Sequence, residues 1–222
     1  MLRKEPLVTN HIYHIFNRGV NKGEIFFSDV DYQRFLYSAA HYLVNSTKFS
    51  HRSKLSDTGA ESSKVGLSEP KVQILAYCLM PNHFHFLVNQ LIENGITAYM
   101  SRLNNSYSHY VNVKYKRVGP LFQGRFKNVL VDTDEQLIHT SRYIHLNPLV
   151  SSIISKLEDY KWSSYLSYIS EDEAMGKFGL CDPNPILSHF NSKDDYKKFV
   201  LDQEDYGRKL VQIKHLTYDY EG

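Results

Sequence analysis

Cysteine is scarce in this 222-residue chain: Cys78 and Cys181 are its only two. They fall at no metal-ligating spacing and suggest no disulfide framework, so a reducing, cytoplasmic setting is expected. Long apolar runs are missing too. None approaches the ~18 residues that a membrane span needs, and the opening Met1-Leu2-Arg3-Lys4-Glu5-Pro6 lacks the apolar stretch of a secretory signal. No membrane partner is expected. The chain has no G-x-x-x-x-G-K-S/T loop to cradle nucleotide phosphates and no H-E-x-x-H zinc motif. Acid is absent from one long stretch: from Asn94 to Val131 there is neither Asp nor Glu.

What is present begins with apolar residues, 42% of the chain, enough for a normal core. The length suits one domain with appendages. Net charge is only +2, so its distribution says more than its total. The acid-free stretch carries Arg102, Lys114, Lys116, Arg117, Arg125 and Lys127, interleaved with Tyr99, Tyr107, Tyr110, Tyr115, Phe122 and Phe126. Cations among flat rings suit a nucleic acid, whose phosphates need charge and whose unstacked bases need stacking partners. The charge pattern leaves a plainer reading equally open, a solvated helix face above a few core aromatics.

Residues 11–16 read as a first strand, followed by a glycine-bearing loop over 17–23. Ser28 with Asp31 three positions on has N-cap chemistry. Tyr32, Phe35, Leu36, Ala39 and Leu43 then keep helical spacing. Residues 45–70, rich in Ser, Lys and Gly, read as a flexible insertion. A second strand spans 72–78 and a third 82–89, joined at Pro81-Asn82, which is good turn chemistry. A second helix is predicted from about Gly95 to Tyr115, with Ile96, Met100, Leu103, Tyr107 and Val111 on its buried stripe and Gly119-Pro120 ending it. Residues 126–131 read as a fourth strand. Thr133 with Gln136 opens a third helix, and Pro148 steers the residue before it out of helical geometry, so that helix is predicted to end near Asn147. The order is the split βαββαβ pattern of ferredoxin-like and RRM-like folds. It implies an α+β domain over residues 1–170, an antiparallel sheet with helices packed on one face. Residues 171–222 form a C-terminal extension of unread role, with helix expected over about 195–211.

The third strand holds the most informative residues: Asn82-His83-Phe84-His85-Phe86-Leu87-Val88-Asn89. Side chains on a strand alternate between faces. His83 and His85 therefore point one way, while Phe84, Phe86 and Val88 point the other way into a core. Two imidazoles side by side on a rigid strand can hold a divalent metal, although such pairs are more often surface decoration or a satisfied core pair. On the third helix, Tyr143 and Asn147 are four apart and share a face. If that helix lies across the sheet beside the histidines, Asn147 could lend an oxygen to the same ion, and Tyr143 would sit against a phosphate the ion polarises.

Four segments together resemble a known family. Ala76-Tyr77-Cys78-Leu79-Met80-Pro81-Asn82-His83-Phe84-His85 resembles the histidine–hydrophobe–histidine strand of the single-tyrosine HUH transposases, and most of all the REP-associated tyrosine transposases. Tyr13-His14-Ile15-Phe16-Asn17-Arg18-Gly19 matches their opening strand. Gly119-Pro120-Leu121-Phe122-Gln123-Gly124-Arg125-Phe126-Lys127 matches their basic segment, and Arg142-Tyr143-Ile144-His145-Leu146-Asn147-Pro148 matches the helix bearing their nucleophile. The resemblance covers roughly residues 10–168.

The resemblance implies His83 and His85 as metal ligands, Asn147 as a third polar ligand and Mg²⁺ or Mn²⁺ as the cofactor. It implies Tyr143 as the nucleophile that forms a covalent 5′-phosphotyrosine. The implied substrate is single-stranded DNA folded into an imperfect hairpin, cleaved and rejoined by a monomer or a homodimer. Arg18, Arg102, Lys114, Lys116, Arg117, Gln123, Arg125 and Lys127 are the candidate DNA contacts. Tyr110 and Tyr115 are rival tyrosines, read as packing or base-stacking residues. His11 and His14 read as structural strand residues, and His145 is unassigned. One alternative is a non-catalytic DNA-binding module derived from such an enzyme. Another is a zinc-dependent hydrolase, disfavoured by the missing zinc motifs.

Overall fold

A computed structural model of the chain describes residues 6–44, 69–170 and 179–202. Four strands, β1 (Ile12–Arg18), β2 (Val72–Met80), β3 (His83–Gln90) and β4 (Lys127–Val131), form one antiparallel sheet in the order β2-β3-β1-β4. The order follows from two interleaved crossovers. β1 and β2 are joined through α1 (Asp29–Val44), and β3 and β4 through α2 (Gly95–Lys114). Each unit leaves a one-strand gap that the other fills. β2 and β3 make the expected hairpin, and only Pro81 and Asn82 lie between them.

Register partners in adjacent strands share a face. Phe16 of β1 lies opposite both His85 of β3 and Lys127 of β4, while Arg18 lies opposite His83. The alternate residues Phe84 and Phe86 face the main core. There Phe35 of α1 stands 5.3 Å from Phe84 and 6.1 Å from Phe86, ring centre to centre. Tyr107 of α2 meets Phe35 edge-on at 4.9 Å. α3 (Asp134–Val150) crosses the opposite face, with Tyr143 against His85. The α+β split βαββαβ architecture is as expected, with α1 and α2 on one face; α3 departs from the expected single helical layer and covers the other face, where it meets the histidine side of the sheet.

Two local features shape the site. Gly19 ends β1 where a Cβ would stand 2.0 Å from the carbonyl oxygen of Gly23, so only glycine fits the turn that follows. α3 begins as its sequence dictates. Thr133 accepts the backbone N–H of Gln136 at 3.1 Å, and the Gln136 side chain accepts that of Asp132 at 2.9 Å. Its end differs from expectation. The helix does not stop near Asn147 but runs through Pro148 to Val150. Pro148 removes one backbone donor close to the end of the helix, where few further bonds depend on it. Burial of Leu146, Pro148 and Leu149 holds the last turn in place.

Beyond α3 the chain returns along the free edge of β2. Leu79 N–H donates to the Trp162 carbonyl at 2.9 Å and Ser164 N–H to that of Tyr77 at 3.0 Å. α4 (Tyr165–Ile169), α5 (Asn184–Leu187) and α6 (Lys193–Leu201) follow. Tyr196 of α6 is fully buried; its hydroxyl donates to Ser141 at 3.1 Å and lies 2.8 Å from Nδ1 of His145, both on α3. The part of the C-terminal extension described here thus packs on the back of the third helix. The helix expected over 195–211 spans 193–201, and 203–222 lie outside the described residues, as do 45–68 of the expected insertion. No helix among the described residues is long and apolar enough to cross a membrane.

Candidate active site

His83 and His85 share one face of β3, their rings 4.9 Å apart and perpendicular. Each ring is held through Nδ1. The Asn82 amide donates through Nδ2 to the Lys22 carbonyl at 3.0 Å, which turns its Oδ1 towards His83 Nδ1 at 2.6 Å. Because that oxygen can only accept, Nδ1 of His83 carries a proton, and in the neutral ring Nε2 then holds the lone pair. His85 Nδ1 lies 2.8 Å from Nε2 of His14 on β1. His85 is fully buried, and its Nε2 has no hydrogen-bond partner among the described residues. Burial, and then the neighbouring His83, hold the His85 imidazole well below its ordinary pKa, so it is neutral at physiological pH. A neutral ring with an unclaimed buried nitrogen is the form in which histidine ligates a metal.

α3 brings Tyr143 to the same place. Its ring is edge-on to His85, with centroids 5.5 Å apart, and edge-on to His14 at 5.8 Å. Asn147, one turn further on, is buried, and its Nδ2 donates to the Tyr143 carbonyl at 3.0 Å. The amide oxygen is thereby the donor atom left for other partners. Among the described residues, no group of three or more His, Cys, Asp and Glu could hold a metal. A third protein ligand beside the histidine pair would have to be a neutral oxygen such as that of Asn147.

The cations divide into two sets. Arg18 lies opposite His83, its Nε donating to Gln123 Oε1 at 2.6 Å, and the Gln123 N–H donates to the Arg18 carbonyl. Lys127 lies in the register row of Phe16 and His85, and Arg125 is exposed just before it. Arg18, Gln123 and Lys127 border the histidine face. Arg102 and Lys114 belong to α2, which packs on the other face, and Lys116 and Arg117 sit in the turn after it. Lys114 is committed elsewhere, its Nζ 2.6 Å from buried Asp31. The structure does not bring these four to the histidine pair, because α1 and α2 together form the far layer.

The rival tyrosines belong to that far layer as well. Tyr110 and Tyr115 donate to Asp31 at 2.9 and 2.7 Å. Burial alone would raise the Asp31 pKa. The donors Lys114, Tyr115, Tyr110 and the Phe27 N–H outweigh it and hold the carboxyl below its usual range.

The model of the IS200-like transposases matches residues 8–147, from just before β1 to Asn147. The chain belongs to the IS200-like transposase family. No curated protein matches the sequence. Among solved structures, the fold is similar to that of a REP-associated tyrosine transposase bound to a REP hairpin. The TM-score is 0.54 and the identity 11%, over 77% of this chain and 86% of that one. At that identity the likeness is one of fold. A weaker likeness, to a bacterial tRNA(His) guanylyltransferase-like protein in complex with GTP, has a TM-score of 0.40 and 10% identity over 68% of each chain.

Sequence reasoning about this IS200-like transposase missed two residues of the site, Asn82 and His14. Asn82 looks like turn chemistry and also orients His83. His14 alternates with Phe16 along β1, which marks its face, but only the pairing of β1 with β3 places it beside His85.

Proposed function

We propose that the chain is a metal-dependent enzyme that cleaves and rejoins single-stranded DNA through Tyr143. One observation carries the reading: α3 lays the Tyr143 ring against His85 on the histidine face of the sheet. The residues fit a divalent ion. His83 and His85 offer Nε2 lone pairs, and Asn147 an amide oxygen. This neutral set, with positions open to phosphate oxygens, suits Mn²⁺ and is tolerable for Mg²⁺. Bound there, the ion would polarise the scissile phosphate and stabilise charge on the departing 3′ oxygen.

The protein's own groups supply the rest. A tyrosine hydroxyl ordinarily holds its proton at neutral pH, so Tyr143 gives up its proton to solvent as its oxygen attacks phosphorus. Its oxygen becomes bonded to the 5′ phosphate, the bond to the 3′ oxygen breaks, and that oxygen takes up a proton from water and leaves as a free 3′ hydroxyl. The phosphotyrosine ester keeps the energy of the broken bond, so attack by a 3′ hydroxyl reverses the step without ATP. Arg18, Gln123 and Lys127 border this face and would contact the backbone of the strand, joined by the exposed Arg125. Arg102, Lys116 and Arg117 would at most extend that contact around the molecule. The fold likeness to a transposase seen with a REP hairpin supports a hairpin-bearing strand as substrate. Nucleophile and ligands come from one chain, so a monomer holds a complete site and a homodimer is not required. Residues 1–170 would be the catalytic domain, acting on DNA in the cytoplasm, with the C-terminal extension buttressing α3.

Incubation with labelled hairpin DNA and Mn²⁺, followed by denaturing electrophoresis, tests the reading. A protein–DNA adduct is expected from wild type and none from Tyr143→Phe, from His83→Ala or after chelation. Hairpin binding without any adduct from wild type would instead identify a non-catalytic DNA-binding module.

A further inference from the structure

We infer that His14 is a positioning residue for the metal site: it accepts the Nδ1–H of His85 and so keeps the lone pair of His85 on Nε2. The inference deepens the proposed function, since it rests on a divalent ion binding at His83 and His85.

The geometry is specific. Nε2 of His14 and Nδ1 of His85 are 2.8 Å apart, the rings are inclined by only 22°, and their centroids are 5.0 Å apart. Two imidazoles joined edge to edge in nearly one plane reach that separation; face-to-face stacking would bring them closer. The contact is diagonal, because His14 itself pairs with Leu87, and Phe16 is the residue directly opposite His85. Both histidines are buried, at 3% and 0% exposure. The ring of Tyr143 abuts both, so His14 touches ligand and nucleophile together.

One proton lies between the two nitrogens, and it has two homes. If His14 donates it, the neutral His85 must carry its own proton on Nε2. That N–H would be buried with no acceptor among the described residues, and it would point at the ion. If His85 donates, Nε2 is a lone pair and the ring is ready to ligate. Nε2 has no partner among the described residues in either arrangement, and a buried donor and a buried acceptor are both costly to leave unmet; the second arrangement is favoured because its lone pair is the group that an ion satisfies. A partner on the far nitrogen of a ligating histidine fixes both tautomer and ring orientation, and its loss typically weakens metal binding 10–100-fold. Phe16 and Leu87 in the adjacent register positions have no polar atom for this task.

Two measurements on the full-length chain test the assignment. In the ¹⁵N-labelled, metal-free protein, long-range imidazole correlations should show His85 protonated at Nδ1, with a scalar coupling across the hydrogen bond to Nε2 of His14. Calorimetric titration with Mn²⁺ should show His14→Phe, which keeps a flat ring, raising Kd about 10–100-fold. His14→Gln, whose amide oxygen can accept, should recover most of the loss, which a purely space-filling role would not allow. A proton on Nε2 of His85 in wild type, or wild-type Mn²⁺ affinity in His14→Phe, overturns the inference. If His14→Phe fails to fold, the wild-type spectrum alone decides. Wild type that binds no Mn²⁺ would defeat the metal reading instead, while the spectrum would still judge His14.

Discussion

Tyr143 meets His85 edge-on, with ring centroids 5.5 Å apart and planes at 83°. The two residues are 58 positions apart in sequence, on a helix and a strand that meet only because α3 crosses the sheet face away from α1 and α2. That crossing separates Tyr143 from the other candidate tyrosines and gives each a different expected behaviour.

Tyr110→Phe should leave the DNA adduct intact and lower stability. Its hydroxyl donates at 2.9 Å to the buried carboxylate of Asp31, and a hydrogen bond to a charged group is worth about 1.5–3 kcal/mol. Urea denaturation measures the loss. A folded Tyr110→Phe protein that forms no adduct would move the nucleophile to the far face.

Lys114→Met should destabilise far more than it weakens DNA binding. It takes from the fully buried Asp31 a charged donor that is itself about one-third exposed, Lys114 being at 31%, and a hydrogen bond to a charged group is worth about 1.5–3 kcal/mol. Lys161 pairs with Asp29 in the open, both side chains more than half exposed. Lys161→Ala should therefore change stability by less than about 1 kcal/mol. Equal losses in the two variants would contradict the burial argument.

Asp31 also sets the sign of an acid transition. Its native pKa is lowered, so at pH values between the native and unfolded values the unfolded chain binds more protons and stability rises with pH. The contribution is complete above the unfolded value of about 4 and disappears as pH falls through the native one. Melting curves from pH 6 down to pH 2.5 should show this loss, and Asp31→Asn should be less stable at pH 6 and flatter through the acid range.

Mn²⁺ should stabilise the wild-type fold and leave His85→Ala unmoved. A ligand at a hundred times its Kd adds about 2.7 kcal/mol to the folded state, visible as a concentration-dependent rise in Tm. A similar rise in His85→Ala would place the ion elsewhere.

Lys127→Ala should weaken single-stranded DNA binding and reduce the slope of log K against log salt by about 0.7, the share of one phosphate contact. Arg102→Ala, on the helix behind the sheet, should change neither. Binding that depends on Arg102 and ignores Lys127 would put the DNA on the other face.

Local signals in the sequence decided most of the elements. The alternation of Phe84 and Phe86 with His83 and His85, the turn at Pro81-Asn82, and the Thr133–Gln136 cap all act within a few residues, so pattern alone made them legible. The helix end was misread at Pro148, because burial of Leu146 and Leu149 from outside the helix outweighs the local preference of the residue before proline. The composition that singled out Arg102, Lys114, Lys116 and Arg117 carries charge but no direction; only packing shows that α2 lies behind the sheet and that Lys114 serves Asp31. The strand register likewise brings His14 of β1 to His85, 71 residues away. Residue types and spacings thus determined which side chains could do chemistry, since alternation and capping depend on neighbours along the chain. Which of them meet was decided by tertiary structure, because the order of strands and the face each helix covers depend on burying apolar surface contributed by distant segments.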